Sequence, residues 1–277
     1  MPHATLNGIR FHYDTHGEGD PVLLINGLSA PSANWLFQVK GFSPHYRVIT
    51  FDNRGVGETD MPEALVYPTA QMADDAAAIL EHLDIKRAHV VGHSMGGTIA
   101  FLYAGAFPQR ITRLVLIEGI GPPGMDFSDA PARMGKWVME IHQRGRKHFR
   151  EYASVEAGAQ QLQQTNPRLD NERALRLARS AMKPSATGKW VWKFDPLHRT
   201  TAPQPFYSPQ AIEFLRRLAC PVLIVDGAES RQTQRRDRKQ RLDAIKDRRQ
   251  AVIENAGHMV HQDNPEALAE VTAAFLY

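Results

Sequence analysis

The chain has 277 residues, a formal net charge of +3, 43% hydrophobic and 23% charged residues, which suits one large α/β core with an insertion better than two independent domains. Its single cysteine, Cys220, excludes an intramolecular disulfide and leaves no basis for a thiolate metal site. A basic-then-apolar leader and an apolar run of membrane-spanning length are both absent, so the chain is expected to be cytoplasmic, with neither a membrane nor a nucleic acid as partner. The positive excess falls largely in residues 231–249, where Arg and Lys mix with Asp and Gln, the pattern of a solvated helix face.

In chain order, Asn7-Gly8 between two alternating runs predicts a hairpin. Residues 22–25 form a continuous apolar run, as in a strand covered on both faces. A helical stretch at 34–40, a strand at 47–51 and a helix at 69–83 with Thr69 as N-cap follow. Next come a strand at 88–91, a helix at 95–107 and a strand at 111–117. This alternation predicts a mostly parallel sheet with helices on both faces, opened by an antiparallel hairpin. The rhythm breaks after Glu118. Helices are expected at 132–150 and 172–182, and an irregular, packed, aromatic segment at 189–207. Strand character returns at 221–225 and 250–253, and a last helix spans 264–276 with Asn264 as N-cap and Pro265 at its first position. Residues 1–120 and 206–277 therefore read as the core and 121–205 as a helical cap, set over the sheet edge where open α/β sheets bind ligands.

The pentapeptide Gly92-His93-Ser94-Met95-Gly96 sits where the buried strand turns into a helix. That context makes it a nucleophile elbow: a tight turn holds Ser94 in a strained conformation, and small residues on either side let strand and helix approach. The N–H of Met95, at the helix start, is free to face a developing oxyanion. A serine needs a base, and of the twelve histidines His258 is the best placed, because it follows Gly257 after the last strand. His93 should point away from Ser94 and pack, and His261 should lie at the surface or behind His258. His142 and His148, six apart, do not share a helical face as metal ligands would.

These features resemble the alpha/beta-hydrolase superfamily over nearly the whole chain. The segment Phe51-Asp52-Asn53-Arg54-Gly55-Val56-Gly57-Glu58-Thr59 is similar to the turn after that family's fourth strand, in which Asp52 and Arg54 would brace neighbouring loops. Ile25-Asn26-Gly27-Leu28 occupies the place of the family's His-Gly segment, which implies an eight-stranded sheet and the N–H of Leu28 as second oxyanion donor beside Met95. Asn26 replaces the commoner His, as in enol-lactone hydrolases of this fold. The family usually carries its triad acid three residues after a Gly past the cap, where this chain has Ser230. A serine cannot supply the charge that stabilises an imidazolium. Glu118, ending the strand before the cap, is the expected acid, with Glu229 and Asp226 as alternatives. Glu118, the Gly-Pro-Pro hinge and the Gly-Ala-Glu-Ser ending together resemble a subgroup described as serine hydrolase-like.

The reading is a serine hydrolase that cleaves a small-molecule ester or lactone through Ser94, His258 and Glu118, without metal or organic cofactor. Its rivals are C–C bond hydrolysis or perhydrolysis on the same serine, and a ligand-binding protein that has lost catalysis. Asn26, Trp190, Trp192 and His198 are candidate pocket residues; the two tryptophans could equally hold the cap together as an aromatic mini-core.

Overall fold

Asn7 and Gly8 take positive φ, 48° and 78°, the paired left-handed conformations that a two-residue hairpin requires. They join β1 (His3–Leu6) to its antiparallel neighbour β2 (Ile9–His16). The structure, a computed structural model, describes residues 2–63, 65–143, 149–204 and 206–277. β3 (Asp20–Ile25), β4 (Tyr46–Phe51), β5 (Ala88–His93) and β6 (Ile111–Ile117) continue the sheet. An insert then carries a separate ribbon, β7 (Met182–Pro184) with β8 (Trp190–Trp192). The chain rejoins the sheet through β9 (Val222–Gly227) and β10 (Arg248–Ile253). The eight-stranded order is β1-β2-β4-β3-β5-β6-β9-β10, parallel everywhere except the first two pairings.

β3 shows why its sequence is apolar without interruption. Leu23 and Ile25 belong to the core beneath α2 (Thr69–His82), α3 (Met95–Ala106) and α7 (Ser208–Arg216). Val22 and Leu24 belong to the core on the opposite face, beneath α1 (Leu36–Phe42) and α9 (Pro265–Leu276). Successive side chains point to opposite faces of a strand, so covering both faces makes every position apolar. Parallel strands also bring their C-terminal ends, and the loops that follow, to one edge.

Some local expectations need correction. Thr69 does not cap α2: Met72 N–H donates to the carbonyl of Pro68 at 3.2 Å, and no side chain caps this end. The proline, with φ of −68° and extended ψ, occupies the cap position, and Thr69 becomes the first helical residue. The helix expected at 132–150 is α4 (Ala130–His142); His148 lies outside the described residues. The Gln-rich stretch that forms α5 (Val155–Thr165) carried no strand or helix expectation. Its N-terminus is capped by Ser154, and Gly158 lets it close onto the Met182 sulfur. α6 (Asn171–Ala181) follows, capped by Asp170. The aromatic segment is not wholly irregular, since residues 190–192 form β8.

The basic run differs most. Residues 231–234 form one 3-10 turn and residues 238–243 a short α-helix, α8 (Arg238–Asp243), whose arginines turn inward. Arg241 is fully buried; it donates to Ile120 O at 2.8 Å, Ser208 Oγ at 3.0 Å and Asp237 Oδ2 at 2.6 Å, and lies over the Phe206 ring. Arg235 donates to Gly121 O at 2.5 Å. These guanidiniums hold the residues where the chain leaves the sheet and those where it returns. Burial lowers the Arg241 pKa to about 10, against the pull of Asp237. Periodicity cannot distinguish an inward Arg from a solvated one; only its buried partners do.

Candidate functional site

Ser94 links β5 to α3 with φ of 55° and ψ of −117°, a conformation costly for a residue with a side chain and maintained only where neighbours enforce it. The enforcement is visible. Ser94 N–H donates to Ile117 O at 2.9 Å, at the end of β6. A Cβ on Gly96 would strike the carbonyl of Ile25, and one on Gly92 would strike that of Gly96. Strand and helix thus approach more closely than any residue but glycine permits, and Ser94 is lifted above the sheet edge.

The histidine arrives from the other end of the chain. His258 Nε2 lies 3.0 Å from Ser94 Oγ, and Nδ1 lies 3.2 Å from Glu118 Oε2. A carboxylate can only accept, so Nδ1 carries the hydrogen and the Nε2 lone pair faces the serine. Glu118 has φ of 52° just past β6, which ends the strand and swings its fully buried side chain back across the sheet edge. Its Oε1 accepts Gly227 N–H at 2.8 Å and its Oε2 accepts the Ser230 hydroxyl at 2.5 Å. The two alternative acids are engaged elsewhere. Glu229 pairs with Arg168 at the surface, and Asp226 pairs with Arg238, where burial first and the neighbouring Glu118 next push its pKa up.

The Asn26–Leu28 loop flanks the serine: a Cβ on Gly27 would stand 3.4 Å from Ser94 Cβ. Among the described residues no acceptor engages the N–H of Leu28 or of Met95. Asn26 is buried as a brace; its Nδ2 donates to Phe51 O at 3.1 Å and its carbonyl accepts from Asn53 Nδ2 at 3.2 Å. Asp52 and Arg54 brace as well. Asp52 accepts from Ser32 N at 2.6 Å, Glu58 N at 2.9 Å and His12 Nδ1 at 3.0 Å, and Arg54 grips the buried Asp75 carboxylate through two 2.6 Å bonds.

The other three pocket candidates have packing partners of their own. Trp190 and Trp192 pack on the insert's own apolar core, around Tyr152, Val155, Leu177 and Met182. His198 is buried against Tyr67, ring centroids 3.9 Å apart, and its Nε2 donates to Arg54 O at 2.8 Å. It ties the insert to the Arg54 turn. An aromatic cluster in a sequence looks the same whether it lines a pocket or fills a core.

Five more residues surround the site: His93 and His261, and Asn166, Arg168 and Asp263, for which no sequence pattern gave a signal. His93 Nε2 donates to the His258 carbonyl at 2.8 Å, so the residue beside Ser94 holds the backbone of His258. His261 is 1% exposed, not superficial, with its ring 4.3 Å from that of His93. Desolvation lowers the His261 pKa to about 3 and holds that of His93 well below its ordinary value, so both stay neutral beside His258. Asp263 accepts Gly257 N–H at 2.8 Å and Asn166 Nδ2 at 2.7 Å, joining the insert to the histidine loop, and Arg168 closes over Gly257. Among the described residues no cluster of His, Cys, Asp or Glu is arranged to hold a metal ion, and no helix is long and apolar enough to cross a membrane.

The sequence profile of the alpha/beta hydrolase fold matches residues 20–265. The chain belongs to this family. It is 31% identical, over 94% of its own length and 95% of the other's, to a putative non-heme bromoperoxidase of Mycobacterium tuberculosis. It is 38% identical to a putative carbamate hydrolase of Agrobacterium fabrum, across 39% of this chain and 42% of that one. Among solved structures, a hypothetical protein of Pseudomonas aeruginosa PAO1 superimposes with a TM-score of 0.89 at 25% identity, covering 99% of this chain and 98% of that one. The thioesterase domain from the curacin biosynthetic pathway gives a TM-score of 0.87 at 23% identity, covering 98% of each chain, a likeness of fold.

Proposed function

We propose that this alpha/beta-hydrolase is a serine hydrolase that cleaves a small-molecule carboxylic ester or lactone through an acyl-enzyme on Ser94. The observation that carries the reading is the continuous line from Ser94 Oγ through both nitrogens of His258 to Glu118, with steps of 3.0 and 3.2 Å. A buried carboxylate, a histidine in the right tautomer and a strained serine have no common structural purpose; together they activate a hydroxyl.

In the first step Ser94 Oγ attacks the substrate carbonyl while its proton passes to His258 Nε2. The carbonyl oxygen becomes an oxyanion, which the N–H groups of Leu28 and Met95 stabilise; each such donor is worth about 3 kcal/mol at the transition state. Glu118 offsets the imidazolium charge. The bond to the leaving oxygen breaks, and that oxygen takes the proton from His258; in a lactone it stays tethered to the acyl group. Water then gives a proton to His258 and attacks the acyl carbon. The bond to Ser94 Oγ breaks, the proton returns to the serine, and the carboxylic acid leaves. Residues 121–205 act as a cap over this edge, a role supported by the contacts of Asn166 and Arg168 with the histidine loop.

A second reading is cofactor-free perhydrolysis, in which hydrogen peroxide replaces water at the acyl-enzyme; the name of the full-length mycobacterial relative favours including it. A fluorophosphonate probe and a panel of p-nitrophenyl esters and lactones test the proposal. Covalent labelling at Ser94, with turnover lost in Ser94→Ala, is the expected result. An unlabelled, inert protein would assign the fold to ligand binding. Peracid formation exceeding hydrolysis in the presence of peroxide would select the second reading.

A further inference from the structure

We propose that Ser230 is a positioning residue for the triad: its hydroxyl fixes the Glu118 carboxylate and sets how strongly that carboxylate supports a charged His258. The inference rests on the triad reading above. Ser230 stands at the position where the sequence pattern calls for an acid, yet it is not a spectator. It is 4% exposed, and its Oγ accepts the Gln232 N–H at 3.1 Å, which directs the hydroxyl hydrogen to Glu118 Oε2 at 2.5 Å. That oxygen is also the one that receives His258 Nδ1–H. The other oxygen accepts Gly227 N–H. Three donors therefore converge on one carboxylate, two of them from the loop that would otherwise carry the acid.

The physical consequence follows from side-chain length. A glutamate reaching across from β6 has one more rotatable bond than an aspartate on the nearer loop, and each unfixed torsion weakens its aim at Nδ1. The Ser230 and Gly227 donors fix both oxygens, so the plane of the carboxylate is set before His258 becomes charged. A donated hydrogen bond also draws negative charge from the oxygen shared with the histidine. Ser230 thus improves geometry while moderating the carboxylate's support of the imidazolium.

The two effects have different signatures. Ser230→Ala is expected to lower kcat about tenfold, the loss of one hydrogen bond to a charged group, with KM for a p-nitrophenyl acetate substrate little changed. The acidic limb of kcat/KM against pH moves to higher pH, because the less solvated carboxylate favours protonated His258. Ser230→Thr, which keeps the hydroxyl, restores both. Ser230 also caps the turn at Arg231–Gln234, and a loss through that turn alone would leave the acidic limb in place. A double-mutant cycle separates the cases further: in a Glu118→Gln background, adding Ser230→Ala should cost under twofold, whereas a cap effect would repeat the tenfold loss. If Ser230→Ala does not fold, Ser230→Cys, nearly isosteric with a weak donor, gives the same comparison. An unmoved limb, or losses that multiply in the double variant, overturns the proposal. Failure of the wild type to label at Ser94 would instead overturn the triad reading itself.

Discussion

Replacing Glu118 by Gln removes one negative charge and almost nothing else. The side chain is fully buried and keeps its length, and an amide oxygen can still accept Gly227 N–H. What changes is the group facing His258 Nδ1. With charge centres roughly 4 Å apart and an effective dielectric of about 20, carboxylate and imidazolium attract by about 4 kcal/mol, close to three decades of rate. If the amide NH2 turns to Nδ1 it also stabilises the tautomer with the hydrogen on Nε2, which cannot accept the Ser94 proton. The expected loss in kcat is therefore about 10³ to 10⁴, the scale on which triad acids act elsewhere. Initial rates with p-nitrophenyl acetate, beside thermal melts showing an unchanged fold, measure it. Glu229→Gln is expected to stay within about threefold of wild type, since Glu229 is a surface partner of Arg168. A loss under tenfold in folded Glu118→Gln, or the large loss appearing in Glu229→Gln or Asp226→Asn, refutes the assignment of the acid.

Ser94→Ala should reduce kcat more than about a thousandfold with little change in melting temperature, read from the same ester assay; retained activity would place the nucleophile elsewhere. Trp192→Ala should lower stability by about 2–3 kcal/mol in urea denaturation and depress turnover of all esters alike, because Trp192, half-buried, packs against the insert's core; a selective loss for long acyl chains would assign it to the pocket. Arg241→Met takes one of two guanidinium partners from the Asp237 carboxylate and leaves Ile120 O and Ser208 without their buried donor, Arg235 alone still holding Gly121, and should cost about 3–5 kcal/mol in the same assay. His261 stays neutral when folded, to about pH 3, against an ordinary 6.5. Below pH 6.5 the unfolded chain alone binds that proton, so stability should fall by roughly 1.4 kcal/mol per pH unit from this group, and His261→Phe should flatten the profile between pH 6.5 and 4. His12 has the opposite sign: Asp52 raises its pKa against desolvation, so its stabilisation is full below 6.5 and fades as pH rises through the raised value.

The sheet and the elbow were legible because their causes are local. Strands β3, β4 and β6 announce themselves as apolar runs, the alternation with helices implies parallel order, and Gly92 and Gly96 mark where backbones must nearly touch. His258 was also reachable, since parallel topology sends every loop after a strand to one edge. What only the tertiary structure decided depends on contacts between residues far apart in the chain. Glu118 could be preferred over Glu229 and Asp226 in sequence, but its 3.2 Å approach to Nδ1 and the salt bridges occupying its rivals exist only in the fold. Arg241 reads as a surface cation until Ile120, Ser208 and Asp237 surround it. Trp190, Trp192 and His198 have the composition of a pocket wall and the packing of a core and a hinge. Hydrophobic period and turn chemistry specify which face a residue presents, whereas its neighbours across 100 residues or more are fixed by loop closure and packing, which no local pattern records.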